Sequence, residues 1–378
     1  MTIGILTYWW SQTNYGQILQ CYALQKYLRV AGHKVFIIRY NFESELYKTP
    51  LIYRIKKAFN PIKLVRYLKR KFDERTAFDQ TDYSIRQFDR FRNENIIFSE
   101  KLYLSYNELV NDPPVADLYI VGSDQVWNPS CLGGEQSYNF KNIVNAYFLN
   151  FGKAKKMSYA ASWGTTDITD NYCHLATNLL RKFSFVSVRE KTGVEICKKC
   201  GYKDAKLVCD PTMLLSADYY RELYGKHLKK EKKKPYIFCY LLNNTTDIKI
   251  DSIYNFAKSN SLEVIYVTGN SVVDTYEKTN ATIQEWLYYI DNAKYVITNS
   301  FHCGVFSTIF NKSYAIIPLT GKFSCMNSRF DSLFDYYGIE QRYTDSTFSI
   351  LNTSYTINIK KNNDFDLIKF IKNELDKD

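Results

Sequence analysis

The sequence contains no apolar run long enough to cross a bilayer. A spanning helix needs roughly 20 consecutive apolar residues, and no stretch of the 378-residue chain approaches that length. The first residues, Met-Thr-Ile-Gly-Ile-Leu-Thr, lack the basic segment of a signal peptide, and the chain becomes polar at Ser11. We therefore interpret the beginning of the chain as a strand and expect a cytoplasmic protein.

Histidine is scarce, with four in the chain, and the nine cysteines show no metal-binding spacing. Cys197 and Cys200 form a lone Cys-x-x-Cys motif, whereas a structural zinc site needs two further ligands at suitable spacing. An odd number of scattered cysteines indicates reduced thiols, as in the cytosol. The sequence predicts neither a metal ion nor a bound cofactor.

Two glycine-rich phosphate-binding motifs are also missing. The turn Gln12–Gln17, which follows the first predicted strand, has neither the G-x-G-x-x-G fingerprint nor the G-x-x-x-x-G-K-[ST] loop. Dinucleotide and nucleoside triphosphate ligands therefore lose support. The same turn is polar and leads into a helix, which suits binding of hydroxyls or phosphate.

Acidic residues are absent between Leu51 and Phe72, where eight lysines and arginines occur. Apolar residues of this segment fall near helical spacing, and the whole chain carries a net charge of +11. A basic amphipathic segment can lie on an anionic membrane surface, here at the inner face of the plasma membrane. The alternative is a solvated helical insertion that packs its apolar stripe on the domain. No nucleic-acid-binding module accompanies the charge, so we expect no nucleic-acid partner.

The chain does contain two series of alternating strands and helices. Strands of the first series are predicted at Ile3–Thr7, Lys34–Tyr40, Asp117–Val121, Lys156–Ala161, Phe185–Val188 and Ala205–Cys209. The second series has strands at Tyr236–Leu242, Leu262–Thr268, Tyr295–Thr298 and Tyr314–Pro318. We predict an α/β fold of two Rossmann-like domains facing a cleft. The domains are 1–225 and 235–378, with a lysine-rich linker at 226–234 and a helical basic insertion at about 45–95.

Functional residues are expected at strand ends, because ligands bind beyond the carboxyl ends of parallel strands. Asp124 and Trp127 follow one strand; Asp124 could accept a proton from a sugar hydroxyl, and Trp127 offers a flat apolar face. The alternative is a turn in which Asp124 satisfies local N–H groups. Arg189 ends another strand with a planar fork suited to carboxylate or phosphate, unless it only pairs with Glu190 or a neighbour.

The segment Thr298–Gly304 closes an apolar strand and opens a helix. A helix N-terminus attracts anions, and His302 can move protons there near neutral pH. The alternative is a histidine that only caps the polar helix start. Lys322, Asn327 and Arg329 follow the next strand, just ahead of another helix. Arg189, His302, Lys322 and Arg329 could thus converge on one anionic ligand.

Together these motifs resemble the polysaccharide pyruvyl transferase family. The resemblance runs in family order from about residue 3 to 340 and is carried by Asn14-Tyr-Gly16, Gly122-Ser-Asp-Gln-Val-Trp-Asn-Pro129, Ser187-Val-Arg-Glu190, Asp210-Pro-Thr212, Ser300-Phe-His302 and Lys322 through Arg329. It implies a two-domain fold like that of GT-B glycosyltransferases. It also implies transfer of pyruvate from phosphoenolpyruvate, as co-substrate, to two hydroxyls of a sugar in a capsule or exopolysaccharide, as a cyclic ketal.

The resemblance implies that Arg189, His302 and Lys322 hold phosphoenolpyruvate, with further donor contacts from Arg329, Ser300 and Asn327. In this interpretation His302 is the general acid and base, and Asp124 orients or deprotonates the acceptor. The acceptor, a galactose- or mannose-type unit that is either free or lipid-linked, would contact Asn14, Tyr15, Gly16, Gln17 and Trp127.

One position departs from the family pattern. Some relatives have an arginine two residues before the histidine, where this chain has Ser300. Lys322 or Arg329 would then have to supply the missing positive charge.

Two other functions stay open. A GT-B glycosyltransferase would use the same cations to hold the diphosphate of a nucleotide sugar. A scaffold protein of a polysaccharide assembly complex would keep the fold and the basic segment, with a purely structural His302 turn. Thermal stabilisation by phosphoenolpyruvate or by a nucleotide sugar separates the first two, because a ligand of the folded state stabilises it.

Overall fold

A computed structural model of the chain describes residues 1–47, 83–225, 234–242, 248–267, 269, 274–357 and 366–375. The predicted membrane-binding segment at 51–72, most of the predicted insertion and all of the linker except Lys234 lie outside these residues.

The first sheet has the strand order β3-β2-β1-β4-β5, and all of its strands are parallel. Its strands are β1 (Thr2–Leu6), β2 (Lys34–Tyr40), β3 (Phe98–Tyr103), β4 (Leu118–Val121) and β5 (Lys155–Ser158). The short parallel pair β6 (Ser187–Val188) and β7 (Lys206–Leu207) continues the sheet beyond β5 through single bridges, Met157 to Phe185 and Ala161 to Val188. This is the doubly wound arrangement that the sequence predicts.

The second sheet has the order β11-β10-β8-β9 and is also parallel. Its strands are β8 (Tyr236–Tyr240), β9 (Glu263–Val267), β10 (Tyr295–Thr298) and β11 (Ser313–Ile316). The central strand β8 is buried along its whole length, as expected of a parallel sheet covered on both faces.

Helices connect the strands of both sheets. Those of the first half are α1 (Tyr15–Val30), α2 (Glu43–Tyr47), α3 (Phe88–Asn95), α4 (Tyr106–Asn111), α5 (Phe140–Tyr147), α6 (Asp170–Leu180), α7 (Lys191–Lys199) and α8 (Ala217–Gly225). Those of the second half are α9 (Ile250–Ser259), α10 (Ile283–Asn292), α11 (Phe301–Ile309), α12 (Ser328–Tyr337) and α13 (Leu367–Leu375). Short 3₁₀ helices lie at Tyr83–Arg86, Pro211–Leu214, Gly321–Asn327 and Ser349–Asn352. In the part of the chain covered by the structure, no helix is both long and apolar enough to traverse a membrane.

Local sequence explains where the key helices begin. The Asn14 side chain accepts a hydrogen bond from the Gln17 amide and so caps α1. Thr282 and Glu285 form a reciprocal capping box at the start of α10. Each cap fixes the first turn of a helix that packs between the two sheets.

A single apolar cluster joins the two sheets, with members from both. At its centre the Tyr15 ring stacks on Trp286 at 5.1 Å, and the Tyr15 hydroxyl donates to the carbonyl of Ala281 at 2.6 Å. Packing also crosses the predicted domain limits at both ends of the second half. Helix α8 packs on α10, and Phe370 of α13 packs against Phe185 at 4.4 Å.

All ten predicted strands are present within a few residues of their predicted limits. Strand β3 is an additional strand that the sequence did not predict. It lies at the sheet edge, and its residues Glu100, Lys101 and Leu102 are exposed. The apolar pattern that reveals a buried strand is therefore absent.

Candidate functional site

The carboxyl ends of the two sheets face each other, and charged side chains from both meet there. Asp124 follows β4, Arg189 follows β6 and Asp210 follows β7, whereas His302 and Arg329 come from the starts of α11 and α12. All five residues are at least nine-tenths buried. A group of buried charges at this edge of two parallel sheets is the arrangement expected of a ligand site.

Asp210 is the hub of the site. Its Oδ1 accepts hydrogen bonds from the amide and hydroxyl of Thr212, at 3.0 and 2.7 Å. Its Oδ2 accepts from the Ser123 hydroxyl at 3.0 Å and from Nη1 of Arg189 at 2.9 Å. Burial opposes ionisation, but His302 and Arg189 outweigh it and hold the pKa of Asp210 well below its ordinary value. Asp210 is therefore a carboxylate at neutral pH.

Arg189 and Arg329 contact the same aromatic ring from different halves of the chain. The two guanidinium carbons lie 4.9 and 5.5 Å from the centroid of the Phe301 ring. Nε and Nη2 of Arg189 are buried and have no hydrogen-bond partner within the described residues. Burial lowers the pKa of Arg329 to about 10, and repulsion from Arg189 contributes in the same direction. Two close, buried cations, of which Arg189 has unused donors, favour an anionic ligand.

His302 lies between Asp210 and the backbone of α1. Its Nε2 is 3.5 Å from Oδ2 of Asp210 and makes no hydrogen bond within the described residues. A Cβ atom added at Gly16 would lie 2.1 Å from Nδ1 of His302, so only glycine leaves room for the imidazole. The ring is thus confined on one side by the helix and on the other by Asp210, which lies 3.5 Å from Nε2.

Asp124 has a backbone φ of 86°, a conformation that is uncommon for residues other than glycine. Its Oδ1 accepts from the Gln125 amide at 2.8 Å. Its negative charge acts on both guanidinium groups of the site: burial acts to lower the pKa of both, and Asp124 opposes that lowering together with Asp210 and Glu190 at Arg189 and with Glu190 at Arg329. Asp124 therefore does satisfy a local N–H group in a turn, as the alternative interpretation has it, and its charge also acts on the two arginines.

Glu190 is a buried carboxylate, which the sequence suggested only as an ion-pair partner for Arg189. Its Oε1 accepts from the Ser162 hydroxyl and from the amides of Trp163 and Gly164, at 3.1, 2.8 and 3.2 Å. Arg189 instead makes its ion pair with Asp210. The position of Glu190 next to a strand-end arginine was the only signal of its burial.

Four predicted site residues have other roles. Trp127 is fully buried, stacks on Phe148 and donates from Nε1 to the Tyr147 carbonyl. Tyr15 is also fully buried in the contact with Trp286. The predictions that Trp127 and Tyr15 contact the acceptor are therefore wrong. Gly16 is covered by His302, so the prediction that it contacts the acceptor is wrong as well.

Asn327 is the fourth case. Its amide accepts from the backbone N–H of Leu319 and donates to the Leu319 carbonyl, at 3.0 and 2.9 Å. This pair of bonds closes the loop that contains the 3₁₀ helix before α12. The side chain therefore holds that loop, and a contact of Asn327 with the donor stays a prediction.

The remaining predicted residues lie around the charged group. Asn14 and Gln17 are partly exposed at the start of α1, and Gln17 accepts from the Ser11 amide. Ser300 is the buried first residue ahead of α11, and its side chain makes no capping bond. Lys322 belongs to the 3₁₀ helix before α12, and its side chain lies outside the described part of the structure.

A narrow cleft, partly open to solvent, lies beside the charged group. Its walls include Arg189, Asp210, Phe301, Arg329 and Tyr336. Across the described residues no cluster of three or more histidine, cysteine, aspartate or glutamate side chains could hold a metal ion. The residues that line the cleft suit a small anion with an apolar part.

Comparison with known proteins places this arrangement in context. A protein-family model described as "Polysaccharide pyruvyl transferase" matches residues 14–317. No curated protein matches the chain.

Solved structures with similar folds include UDP-GlcNAc 2-epimerase from Methanocaldococcus jannaschii, with a TM-score of 0.53, 10% identity and 100% coverage of both chains. The same enzyme in complex with UDP-GlcNAc and UDP gives the same values. A putative UDP-N-acetylglucosamine 2-epimerase from Listeria monocytogenes has a TM-score of 0.48 and 8% identity, covering 100% of this chain and 96% of its own. At such identity the similarity concerns the fold, which is α/β with parallel sheets and of the GT-B type, as the sequence predicts.

Proposed function

This chain belongs to the polysaccharide pyruvyl transferase family, and we propose that it transfers pyruvate from phosphoenolpyruvate to two hydroxyls of one sugar unit. The product is a cyclic pyruvate ketal on a polysaccharide or on its precursor. The observation that carries this proposal is the pair of buried guanidinium groups on Phe301, beside a histidine whose Nε2 lies 3.5 Å from the buried carboxylate of Asp210.

Phosphoenolpyruvate is a compact anion with a carboxylate, a phosphate and an apolar methylene carbon. Guanidinium groups bind carboxylate and phosphate oxygens through paired hydrogen bonds. Nε and Nη2 of Arg189 are the free edge of such a fork, since Nη1 is engaged by Asp210 and Ser123. Arg329, from the second half of the chain, brings a second cation to the same Phe301 ring. We infer that the anion binds between these two arginines.

Arg329 also compensates for the arginine that is missing two residues before His302, where this chain has Ser300. The arginine that some relatives carry at that position would sit at the start of α11. In this chain Arg329 is buried against Phe301, the next residue after Ser300. We infer that Arg329 supplies the positive charge, with any contribution of Lys322 remaining a prediction.

His302 is proposed as the group that moves protons during the reaction. Protonated His302 donates a proton to the methylene carbon of phosphoenolpyruvate, which makes the central carbon electrophilic. The oxygen of the first sugar hydroxyl bonds to that carbon and releases its proton to His302, which restores the proton delivered to the methylene carbon. Asp210, a carboxylate 3.5 Å from Nε2, stabilises the protonated imidazole.

The second half of the reaction closes the ring. The bond from the central carbon to the phosphate oxygen breaks, and the second hydroxyl oxygen bonds to the same carbon. The proton of this hydroxyl leaves with inorganic phosphate. The products are one phosphate and one ketal carboxylate with a new methyl group, so neither oxidant nor reductant is required. Asp124 is proposed to orient the attacking hydroxyl.

A glycosyltransferase that uses a nucleotide sugar is the second candidate. The observation in its favour is the fold shared with UDP-GlcNAc 2-epimerase, which has been solved in complex with UDP-GlcNAc and UDP. The two arginines would also suit a diphosphate. The ligand that stabilises the protein decides between the two functions.

The first experiment measures phosphate release from phosphoenolpyruvate with galactoside, mannoside and glucoside acceptors. We expect release that depends on the acceptor and that His302→Ala lowers by about 10²–10⁴-fold, the usual effect of removing a positioned acid or base. Melting temperatures with phosphoenolpyruvate and with UDP-GlcNAc provide the control for binding. Stabilisation by UDP-GlcNAc alone would replace this proposal with the glycosyltransferase, and stabilisation by neither would favour the scaffold.

The location of the reaction is a separate proposal. A lipid-linked acceptor at the inner membrane face would give the basic segment at 51–72 a role. Flotation of the protein with anionic vesicles, compared with neutral vesicles, tests this. Failure to float with either would favour a solvated insertion.

A further inference from the structure

We propose that the acceptor sugar binds on the loop that follows β1, with Trp10 as its stacking surface, and that the acceptor unit is a neutral pyranoside. The inference rests on the proposed function and names the acceptor side of the same site. Trp10 takes the role that the sequence suggested for Trp127, which is fully buried. Trp10 is only partly buried and lies beyond the carboxyl end of β1, at the sheet edge where the charged group is found.

The loop is continuous with the charged group. Tyr8 packs against Trp10 at 5.2 Å, and its hydroxyl donates to the carbonyl of Gln125 at 3.1 Å. The Asp124 charge acts on Tyr8 directly and contributes to its raised pKa, for which burial is the main cause. Further along the chain, Asn14 and Gly16 lead to the contact with His302. The loop therefore spans the distance between the proposed proton carrier and the proposed hydroxyl-orienting residue.

Trp10 is held in a fixed orientation. Its ring makes edge-on contacts with Tyr8 and Phe42, at 5.2 and 5.3 Å. Its Nε1 donates to Oε1 of Glu43 at 3.1 Å. The loop backbone is anchored too, since Ser11 accepts from Arg92 at 2.6 Å. A rigid aromatic ring costs little entropy when it binds a ligand, and such rings provide most of the contact area in small-molecule sites.

The surroundings of Trp10 suit hydroxyls. Glu43 is an exposed carboxylate beside the indole, and Gln12, Asn14 and Gln17 are polar, partly exposed side chains on the same loop. Carboxylates and amides accept and donate hydrogen bonds to sugar hydroxyls. The negative charge of Glu43 would repel the carboxylate of an acidic sugar. A neutral hexopyranoside therefore fits this surface better than a uronic acid.

The test measures binding rather than turnover. Saturation-transfer NMR titrates nitrophenyl β-galactoside, β-glucoside, α-mannoside and β-glucuronide against the full-length protein. We expect wild-type protein to bind at least one neutral glycoside more tightly than the glucuronide. Trp10→Ala should weaken that binding by roughly tenfold or more, and Trp10→Phe by less. Glu43→Gln should raise glucuronide binding a few-fold relative to binding of the neutral glycosides, because the repulsion between two carboxylates is removed.

Tyr219→Ala serves as the matched control, because Tyr219 is an exposed aromatic residue on α8. Its binding should equal that of the wild type. Unchanged binding by Trp10→Ala, or preference for the glucuronide, overturns the inference, as does failure of the wild type to bind any neutral glycoside. Stabilisation by phosphoenolpyruvate is measured on the same variants. If Trp10→Ala binds glycosides normally but is still stabilised by phosphoenolpyruvate, the acceptor surface is wrong while the donor site stands. Absence of that stabilisation in the wild type instead removes the proposed function.

Discussion

Replacement of Gly16 by alanine should impair His302 without unfolding the protein. The new Cβ would lie 2.1 Å from Nδ1, 2.2 Å from Cγ and 2.6 Å from Cβ of His302. All three distances are far below van der Waals contact, so the imidazole must move. It is 7% exposed and confined by Asp210 on its other side, so it has little room in which to move.

The effects on stability and on activity should differ in size. Overpacking a buried site costs about 1–3 kcal/mol, whereas alanine for glycine in a helix returns about 0.5–1 kcal/mol. The free energy of unfolding should therefore fall by about 2.5 kcal/mol at most. A displacement of about 1 Å at a reacting group can lower the rate about 100-fold. Turnover should thus fall far more than stability.

Gly225→Ala is the matched control for this prediction. Gly225 ends α8, and a Cβ added there would meet no atom within 4 Å. Urea unfolding and acceptor-dependent phosphate release are measured on both variants. We expect Gly225→Ala to keep full activity. If Gly16→Ala also kept wild-type activity and stability, the contact between His302 and α1 would not position the histidine, and the reasoning would fail.

Three further substitutions test other parts of the site. Arg329→Met should leave the melting temperature of the unliganded protein unchanged or raise it, because burial and Arg189 disfavour the positive charge. It should also abolish the stabilisation by phosphoenolpyruvate. Calorimetry in which phosphoenolpyruvate still stabilises this variant would contradict the prediction. Asp210→Asn should lower the unfolding free energy at neutral pH by about 3–5 kcal/mol. Since the folded pKa of Asp210 is depressed, its contribution is present above the unfolded value of 3.8 and is lost as pH falls below it; urea unfolding at several pH values should show the two proteins converging in acid, and parallel curves would refute the assignment. Trp127→Phe should lower stability on the order of 1–3 kcal/mol without changing glycoside binding; weaker binding at unchanged stability would restore Trp127 to the acceptor site.

The sequence was sufficient to predict ten of the eleven strands that the structure describes. Buried parallel strands are continuous apolar runs, and their carboxyl ends meet at one sheet edge. Arg189, His302 and Arg329 could therefore be expected near each other although they are far apart in the chain. Strand β3 could not be found in this way, because exposed edge residues carry no apolar pattern.

The individual contacts could not be predicted, because they depend on packing between the two halves of the chain. Tyr15 looks like a polar aromatic residue in a loop motif, yet Trp286 covers it. Gly16 gives no sign in the sequence that an imidazole from the other half lies on it. Asp210 was visible only as part of an Asp-Pro-Thr segment, and its role as partner of both Arg189 and His302 required the folded arrangement.

The most direct test of the proposed reaction follows the central carbon of phosphoenolpyruvate. The donor carries a ¹³C label at that carbon, and the protein is incubated with a neutral glycoside acceptor. We predict a labelled carbon bonded to two sugar oxygens, seen by NMR together with a new methyl group and one phosphate released per ketal formed. A label recovered as an enol ether of the sugar or as free pyruvate would contradict ketal formation by this protein.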